Sequence, residues 1–134
     1  MRSASTKKTL DALDHLAAQE RKSTAVTLAH LAEFDRRRLY ETFGYSTMLD
    51  YCIDHVHMDE DEAEEQIEVA RAARVFPVLF EAIADGRLHT AAVRIIAPHL
   101  TAENVDQLIA AMTHRREGEI KAMLKEWFPD PRPS

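Results

Sequence analysis

The side chains best suited to bind a metal ion lie in one short stretch of the sequence. Cys52, His55 and His57 all fall there, but a zinc site needs three or four ligands that converge in tetrahedral geometry. Residues two apart on a helix, as His55 and His57 would be, do not share a face. A lone cysteine is also commonly a small buried apolar residue. We therefore predict no metal site and no cofactor.

Recognisable catalytic motifs do not occur in the sequence. There is no G-x-S-x-G nucleophile turn, no P-loop and no H-E-x-x-H zinc motif. Carboxylates are abundant, yet their crowding on one exposed helix differs from a general acid and base held in two different environments. We predict that this chain is not an enzyme.

Arginine is the second residue type with a recognisable chemistry, because its planar guanidinium binds phosphate through two parallel hydrogen bonds. Arg36-Arg37-Arg38 is the densest basic cluster, and we expect one or two of these side chains to pair with Glu33 or Asp35. Further arginines and one histidine follow at intervals that folding can bring to one surface. The candidate DNA contacts are Arg36, Arg37, Arg38, Arg71, Arg74, Arg87, His89 and Arg94.

The acidity of the chain is concentrated in one segment. Residues 46–70 carry nine acidic and no basic side chains, whereas residues 1–45 carry eight basic and six acidic, and residues 71–134 nine basic and eight acidic. Carboxylates are favoured near a helix N-terminus but repel phosphates. We interpret the segment as a solvated helix face; the alternatives are a surface that docks a basic protein and an inhibitor that mimics nucleic acid. The candidate docking residues are Asp59, Glu60, Asp61, Glu64, Glu65 and Glu68.

Length and composition indicate one domain with a substantial core. The chain has 134 residues, of which 46% are hydrophobic and 30% charged, as in ordinary globular domains. No apolar run approaches the ~20 residues that a membrane helix needs, and the basic, polar N-terminus differs from a secretory signal. A single cysteine is compatible with a reducing cytoplasm. We expect a cytoplasmic protein with no membrane partner.

Helix is the predicted structure throughout. Glycine and proline are scarce before the last six residues, and no segment shows the alternation of a strand. We predict an all-α array of seven or eight mostly short helices. The two longest are expected at the N-terminus, with a break at Ser23-Thr24, and the first carries Leu10, Leu13 and Leu16 along one side.

The predicted organisation is a single helical domain over residues 1–128. Within it, residues 1–22 form the N-terminal helix and residues 23–128 the remaining core. Three prolines among the last six residues predict an extended tail over residues 129–134.

Two pairs of short helices have the form from which helix-turn-helix units are built. The first pair is predicted over residues 47–56 and 60–74, but the start of its second helix is acidic, which does not suit a DNA reader. The second pair is predicted over residues 77–84 and 90–97, with Thr90 as the expected N-cap of its second helix. The alternative interpretation of this pair is a plain helical hairpin.

Several short segments of the sequence carry a resemblance to a known family. They are Leu39-Tyr40, Gly44-Tyr45-Ser46, Asp50-Tyr51-Cys52, residues 70–74, Phe76-Pro77, residues 86–89 and residues 97–101. Their order resembles the helical region found N-terminal to HNH nuclease domains in some bacterial proteins. The resemblance covers roughly residues 23–129 and implies a DNA-associated accessory module. The HNH motif that carries the metal-binding and catalytic histidines of that family has no counterpart here, so no nuclease residue is carried over.

Two hypotheses follow for the function. The first is a non-catalytic, helix-turn-helix-related module that tethers or regulates a DNA-acting protein. The second is a protein–protein interaction module, such as a homodimer, with an acidic docking face and no DNA binding; the N-terminal helices can supply its dimer seam. Arginines gathered on one exposed face favour the first hypothesis, and arginines paired with acids favour the second.

Overall fold

A computed structural model describes residues 4–129, and within this range every regular element is a helix, so the predicted all-α class is confirmed. Seven α-helices and two short 3-10 segments follow one another without a strand in the described part of the chain. The α-helices are α1 (Ala4–Arg36), α2 (Met48–Asp54), α3 (Glu60–Val75), α4 (Val78–Ala84), α5 (Thr90–Ile96), α6 (Val105–Met112) and α7 (Glu117–Trp127). The 3-10 segments are Leu39–Phe43 and Ala97–His99.

The first helix is one continuous element, so the predicted break at Ser23-Thr24 is wrong. α1 runs for 33 residues, about 50 Å at the usual rise per residue. Serine and threonine lower helix propensity only modestly, and neither glycine nor proline occurs in α1 to interrupt it. The boundary expected between residues 22 and 23 therefore falls inside a helix.

α1 ends at Arg36, just before a turn in the backbone. Arg38 adopts a left-handed conformation with φ of 54°, which stops the helix and starts the 3-10 segment that carries Tyr40 into the core. Gly44, with φ of 87°, ends that segment. Thr47 then caps α2, because its hydroxyl oxygen accepts a hydrogen bond from the Asp50 N–H at 3.0 Å.

A histidine caps α5 in place of the expected Thr90. The Nδ1 atom of His89 accepts a hydrogen bond from the Ala92 N–H at 3.1 Å. Thr90 is instead the first residue of the helix. The imidazole therefore performs the task that serine, threonine or aspartate usually performs at this position.

The main core forms where α1, α3, α4, α5, α6 and α7 meet. Leu28 from α1 is fully buried there, against α3 and α4, the two helices on which α1 chiefly packs. α4, α5 and α7 contribute Leu79, Val93 and Ile120, respectively, to the same core. α4 thus packs on α1 and α3, α5 packs on α3, and α7 packs on α5.

A second, smaller core lies between the end of α1, the first 3-10 segment, α2 and the first half of α3. Its buried members include Tyr40, Met48, Cys52 and Ile67. Leu31 packs against both cores, and among the described residues no other side chain does so. The molecule therefore has two apolar centres that share α1 and α3.

Two further expectations concern the ends of the chain and the membrane. Apart from Pro129, the tail predicted over residues 129–134 lies outside the described residues. None of the helices within residues 4–129 combines the length and the apolar composition that a membrane span requires.

Candidate interaction surfaces

A buried carboxylate joins α1 to α3. Asp35 accepts two hydrogen bonds from the Arg71 guanidinium, at 2.9 and 3.0 Å, and the Arg74 guanidinium lies 3.9 Å away. The Asp35 side chain is only 8% exposed, while that of Arg71 is 54% exposed. The carboxylate is therefore the desolvated partner, and two α3 arginines predicted to contact DNA neutralise it.

Other predicted DNA contacts also pair with acids. Arg36 binds Glu33 and Arg38 binds Glu41, both one helical turn away. The hydrogen bond from Arg36 lowers the pKa of the Glu33 carboxyl. Arg37 has no side-chain hydrogen bond or ion pair within residues 4–129, although its charge also acts on Glu33. The expected pairing in this cluster is thus confirmed for Arg36, whereas Asp35 pairs across to α3.

The eight predicted DNA contacts divide among separate places. Those on the C-terminal ends of α1 and α3 surround Glu33 and Asp35. Arg94 on α5 pairs with Glu68 at 2.7 Å, beside the acidic half of α3. Arg87 and His89 lie in the turn between α4 and α5, where Arg87 binds Asp85. The fold therefore does not gather them into one unpaired basic face.

The predicted acidic face lies mainly on the first turns of α3. Asp59, Glu60 and Asp61 are exposed there, and the following Glu64 and Glu65 are half-buried. Glu68 is exposed but engaged by Arg94. One predicted docking residue, Glu68, is thus already paired within the chain.

The stretch considered for metal binding is divided between core and surface. Cys52 is fully buried, and burial raises the pKa of its thiol, with a smaller contribution from the Asp35 carboxylate. The His55 ring stacks on Tyr51 with centroids 4.9 Å apart. His57 is exposed with φ of 66°. Among the described residues, no three His, Cys, Asp or Glu side chains come together where they could hold a metal ion.

The N-terminal half of α1 leaves an apolar stripe uncovered. All side chains from residue 4 to residue 17 are exposed, including Leu10 at 44%, Leu13 at 58% and Leu16 at 58%. Leu10 and Leu13 each precede a core-facing leucine, Leu28 and Leu31, by 18 residues, which is five full helical turns. The exposed stripe is therefore the continuation of the face that packs on α3 and α4.

A cleft that the sequence patterns do not reveal lies where the middle of α1 passes the α4–α5 turn and the turn before α7. It contains the predicted Arg87 and His89. Sequence reasoning missed Arg21, Arg115 and Arg116, which also line it. They are distant from the α4–α5 turn in sequence, so no local spacing signals that they meet.

Comparison with protein-family models, with curated proteins and with solved structures finds no match to this chain.

Proposed function

We propose that this chain is a non-catalytic interaction module that forms a homodimer through the N-terminal half of α1. The observation that carries the proposal is the stripe of Leu10, Leu13 and Leu16, exposed on a helix segment whose side chains are uncovered on every side. A helical segment as short as residues 4–17 has only marginal stability in water when nothing packs on it. A partner that covers the stripe therefore stabilises the segment.

The pattern of this segment suits a second copy of itself. Leu10, Leu13 and Ala17 occupy alternating three- and four-residue steps, as at the a and d positions of a coiled coil. Lys7 and Asp14 lie seven residues apart on one flank of the stripe. In an antiparallel pair with Leu10 against Leu13 of the second copy, Lys7 faces Asp14 of that copy twice, because a two-fold axis repeats each contact.

The arginine pairing supports the same proposal. Most of the predicted DNA contacts are already engaged by Glu33, Asp35, Glu41, Glu68 or Asp85. A cation that already has a carboxylate partner contributes less to phosphate binding than an unpaired one, since the acid must be displaced or its charge shared.

Sedimentation equilibrium over a range of concentrations tests the proposal. The wild-type chain is expected to show a dimer at about 100 µM, the range of weak two-helix associations, and Leu10→Asp/Leu13→Asp is expected to be a monomer. Val26→Asp is the matched control, because Val26 is 57% exposed and lies about 160° around the helix from Leu10. A monomeric wild type, or equal loss in both variants, contradicts the proposal.

A charge exchange sharpens the test of orientation. Lys7→Asp and Asp14→Lys are each expected to weaken the dimer, whereas the double variant restores it, because opposite charges again face each other across the axis. If the double variant does not recover dimerisation, the antiparallel arrangement is contradicted. The leucine variants then still test whether the stripe forms the dimer interface.

The second candidate function is a tether or regulator for a DNA-acting protein, as the family resemblance implies. The observation that favours it is the meeting of Arg36, Arg37, Arg71 and Arg74 around only two acids at the ends of α1 and α3. Fluorescence anisotropy with labelled duplex DNA at low and moderate salt tests it. Binding that salt weakens and that Arg36→Glu/Arg37→Glu/Arg38→Glu abolishes supports it.

The DNA experiment needs a control that reverses charge elsewhere on the molecule. Lys121→Glu/Lys125→Glu alters two exposed lysines on α7, away from the arginine cluster. Equal loss in both variants indicates only a general charge effect, and absence of binding at low salt contradicts the DNA function for this chain.

A further inference from the structure

The cleft beside α1 has the size and lining of a small-molecule site. Its volume is about 540 Å³, within the range of ligand pockets. Ile83, Leu88 and Ala92 contribute an apolar floor and are at most 3% exposed. The charged and imidazole side chains that line it are Arg21, Arg87, Arg115, Arg116, His89 and His114, with Glu20 as the one acid among the described lining residues.

Backbone contacts hold the two turns of the cleft together. The His114 N–H donates a hydrogen bond to the Arg87 carbonyl oxygen at 3.0 Å, which ties the turn before α7 to the turn between α4 and α5. Gly86 in the latter turn has φ of 84°, and a Cβ there would lie 2.8 Å from the Arg21 Nε. The absence of a side chain at Gly86 therefore allows the Arg21 guanidinium to lie against the turn.

Two of the four arginines in the cleft have no acid of their own. Arg87 binds Asp85 at 2.9 Å, and Arg115 lies 3.5 Å from Glu119. Within residues 4–129, the guanidinium groups of Arg21 and Arg116 make no hydrogen bond or ion pair. The Arg116 backbone N–H donates a hydrogen bond to the Glu119 carboxylate, and the Arg116 charge lowers the pKa of that carboxyl less than the Arg115 charge does. Two planar donors are thus left for a ligand.

We propose that this cleft binds a phosphate group, with Arg21 and Arg116 as its main ligands. A phosphate carries up to two charges and several acceptor oxygens, so it can receive paired hydrogen bonds from both guanidinium groups at once. His89 adds a donor: its Nδ1 accepts from Ala92, which places the proton of the neutral ring on Nε2. The apolar floor accommodates the body that carries the phosphate, either a phosphorylated small molecule or a nucleic-acid strand.

The experiment is a titration of the full chain followed by amide NMR. The probes are inorganic phosphate, a nucleoside monophosphate and a single-stranded oligonucleotide, with sodium acetate as the anion control. Binding is expected to shift the amide signals of the α4–α5 turn and of the start of α7. Arg21→Ala/Arg116→Ala is expected to weaken binding of each phosphate probe at least about tenfold, since both charge-assisted contacts are lost.

Lys8→Ala/Lys125→Ala is the matched control, because it also removes two positive charges, from exposed side chains that do not line the cleft. It is expected to leave the dissociation constant within about twofold of wild type, as a distant, screened charge does. Arg21→Lys/Arg116→Lys keeps both charges. Its dissociation constant is expected to lie between those of wild type and Arg21→Ala/Arg116→Ala, since lysine lacks the planar donor pair.

The outcomes separate the source of the phosphate and can overturn the proposal. Tighter binding of the nucleoside monophosphate than of the oligonucleotide assigns the site to a small molecule. Tighter oligonucleotide binding that falls with salt assigns it to a strand. Equal binding by wild type and Arg21→Ala/Arg116→Ala, a loss in Lys8→Ala/Lys125→Ala as large as in Arg21→Ala/Arg116→Ala, or no shifts with any phosphate probe overturns it.

Discussion

Replacing either member of the Asp35–Arg71 pair is expected to destabilise the fold, and by unequal amounts. In Arg71→Ala the carboxylate stays at a site that is 8% exposed, with Arg74 3.9 Å away as its remaining partner. In Asp35→Asn the released guanidinium is already half exposed, so water can hydrate it. The cost of losing a partner is larger for the group that is desolvated.

The expected losses of unfolding free energy follow from how deeply each side chain of the pair is buried. A fully buried ion pair costs about 3–5 kcal/mol to break by removing one partner, whereas an exposed pair contributes about 0–1 kcal/mol. Because this pair is buried on one side only, we expect about 2 kcal/mol for Arg71→Ala and about 1 kcal/mol for Asp35→Asn. The double variant is expected to resemble Asp35→Asn, since Arg71 has no carboxylate left to neutralise.

Urea unfolding followed by circular dichroism measures these differences, together with thermal midpoints that should fall by roughly 5–9 °C in Arg71→Ala. Arg36→Ala is the control, because its pair with Glu33 is exposed on both sides, and its midpoint is expected to stay that of wild type. Additive effects in the double variant, or a larger loss in Asp35→Asn than in Arg71→Ala, would refute the argument from one-sided burial.

Three further predictions concern single residues. His89→Ala is expected to lose about 1 kcal/mol of unfolding free energy with the N-cap of α5, and His89→Asn to retain most of it; urea unfolding checks both. Gly118→Ala should gain about 0.5 kcal/mol, because a Cβ at this helical position meets nothing within 4 Å. Gly44→Ala, equally uncrowded but at φ of 87°, should lose about 1 kcal/mol, so equal effects at the two glycines would contradict this reasoning. Cys52 is buried and its thiol pKa is raised, so a disulfide reagent should label the native chain far more slowly than the urea-unfolded chain; equal rates would show that the thiol is accessible.

Local signals predicted much of the helical architecture. The all-α class was predicted from the scarcity of helix breakers and the absence of strand alternation, and the structure confirms it. The continuous α1 was harder to predict, because serine and threonine suit both a cap and a helix interior. Tertiary packing of Ala25 and Leu28 on the rest of the core decides in favour of the interior.

The candidate sites were predictable only where they depend on neighbours in sequence. The Arg36–Glu33 pair follows from a three-residue spacing on one helix. Asp35 and Arg71 are 36 residues apart, and the cleft joins α1 to turns still further along the chain. Likewise, the spacing of Leu10 and Leu13 predicts an apolar face but not whether another element covers it. The long-range ion pair, the cleft and the coverage of the apolar face all depend on how the helices pack, which local spacing does not show.

The two apolar centres, which share Leu31 alone among the described side chains, have a consequence for how the native protein opens. The smaller centre around Cys52 has few buried members, so α2 can unfold while the larger centre persists, as a separate cooperative unit. Amide hydrogens of α2 should then exchange with solvent through this sub-global opening, faster than those of α5, which lies in the larger centre. Leu31→Ala would increase this difference in exchange rate, because it removes the side chain that packs against both centres and couples their unfolding.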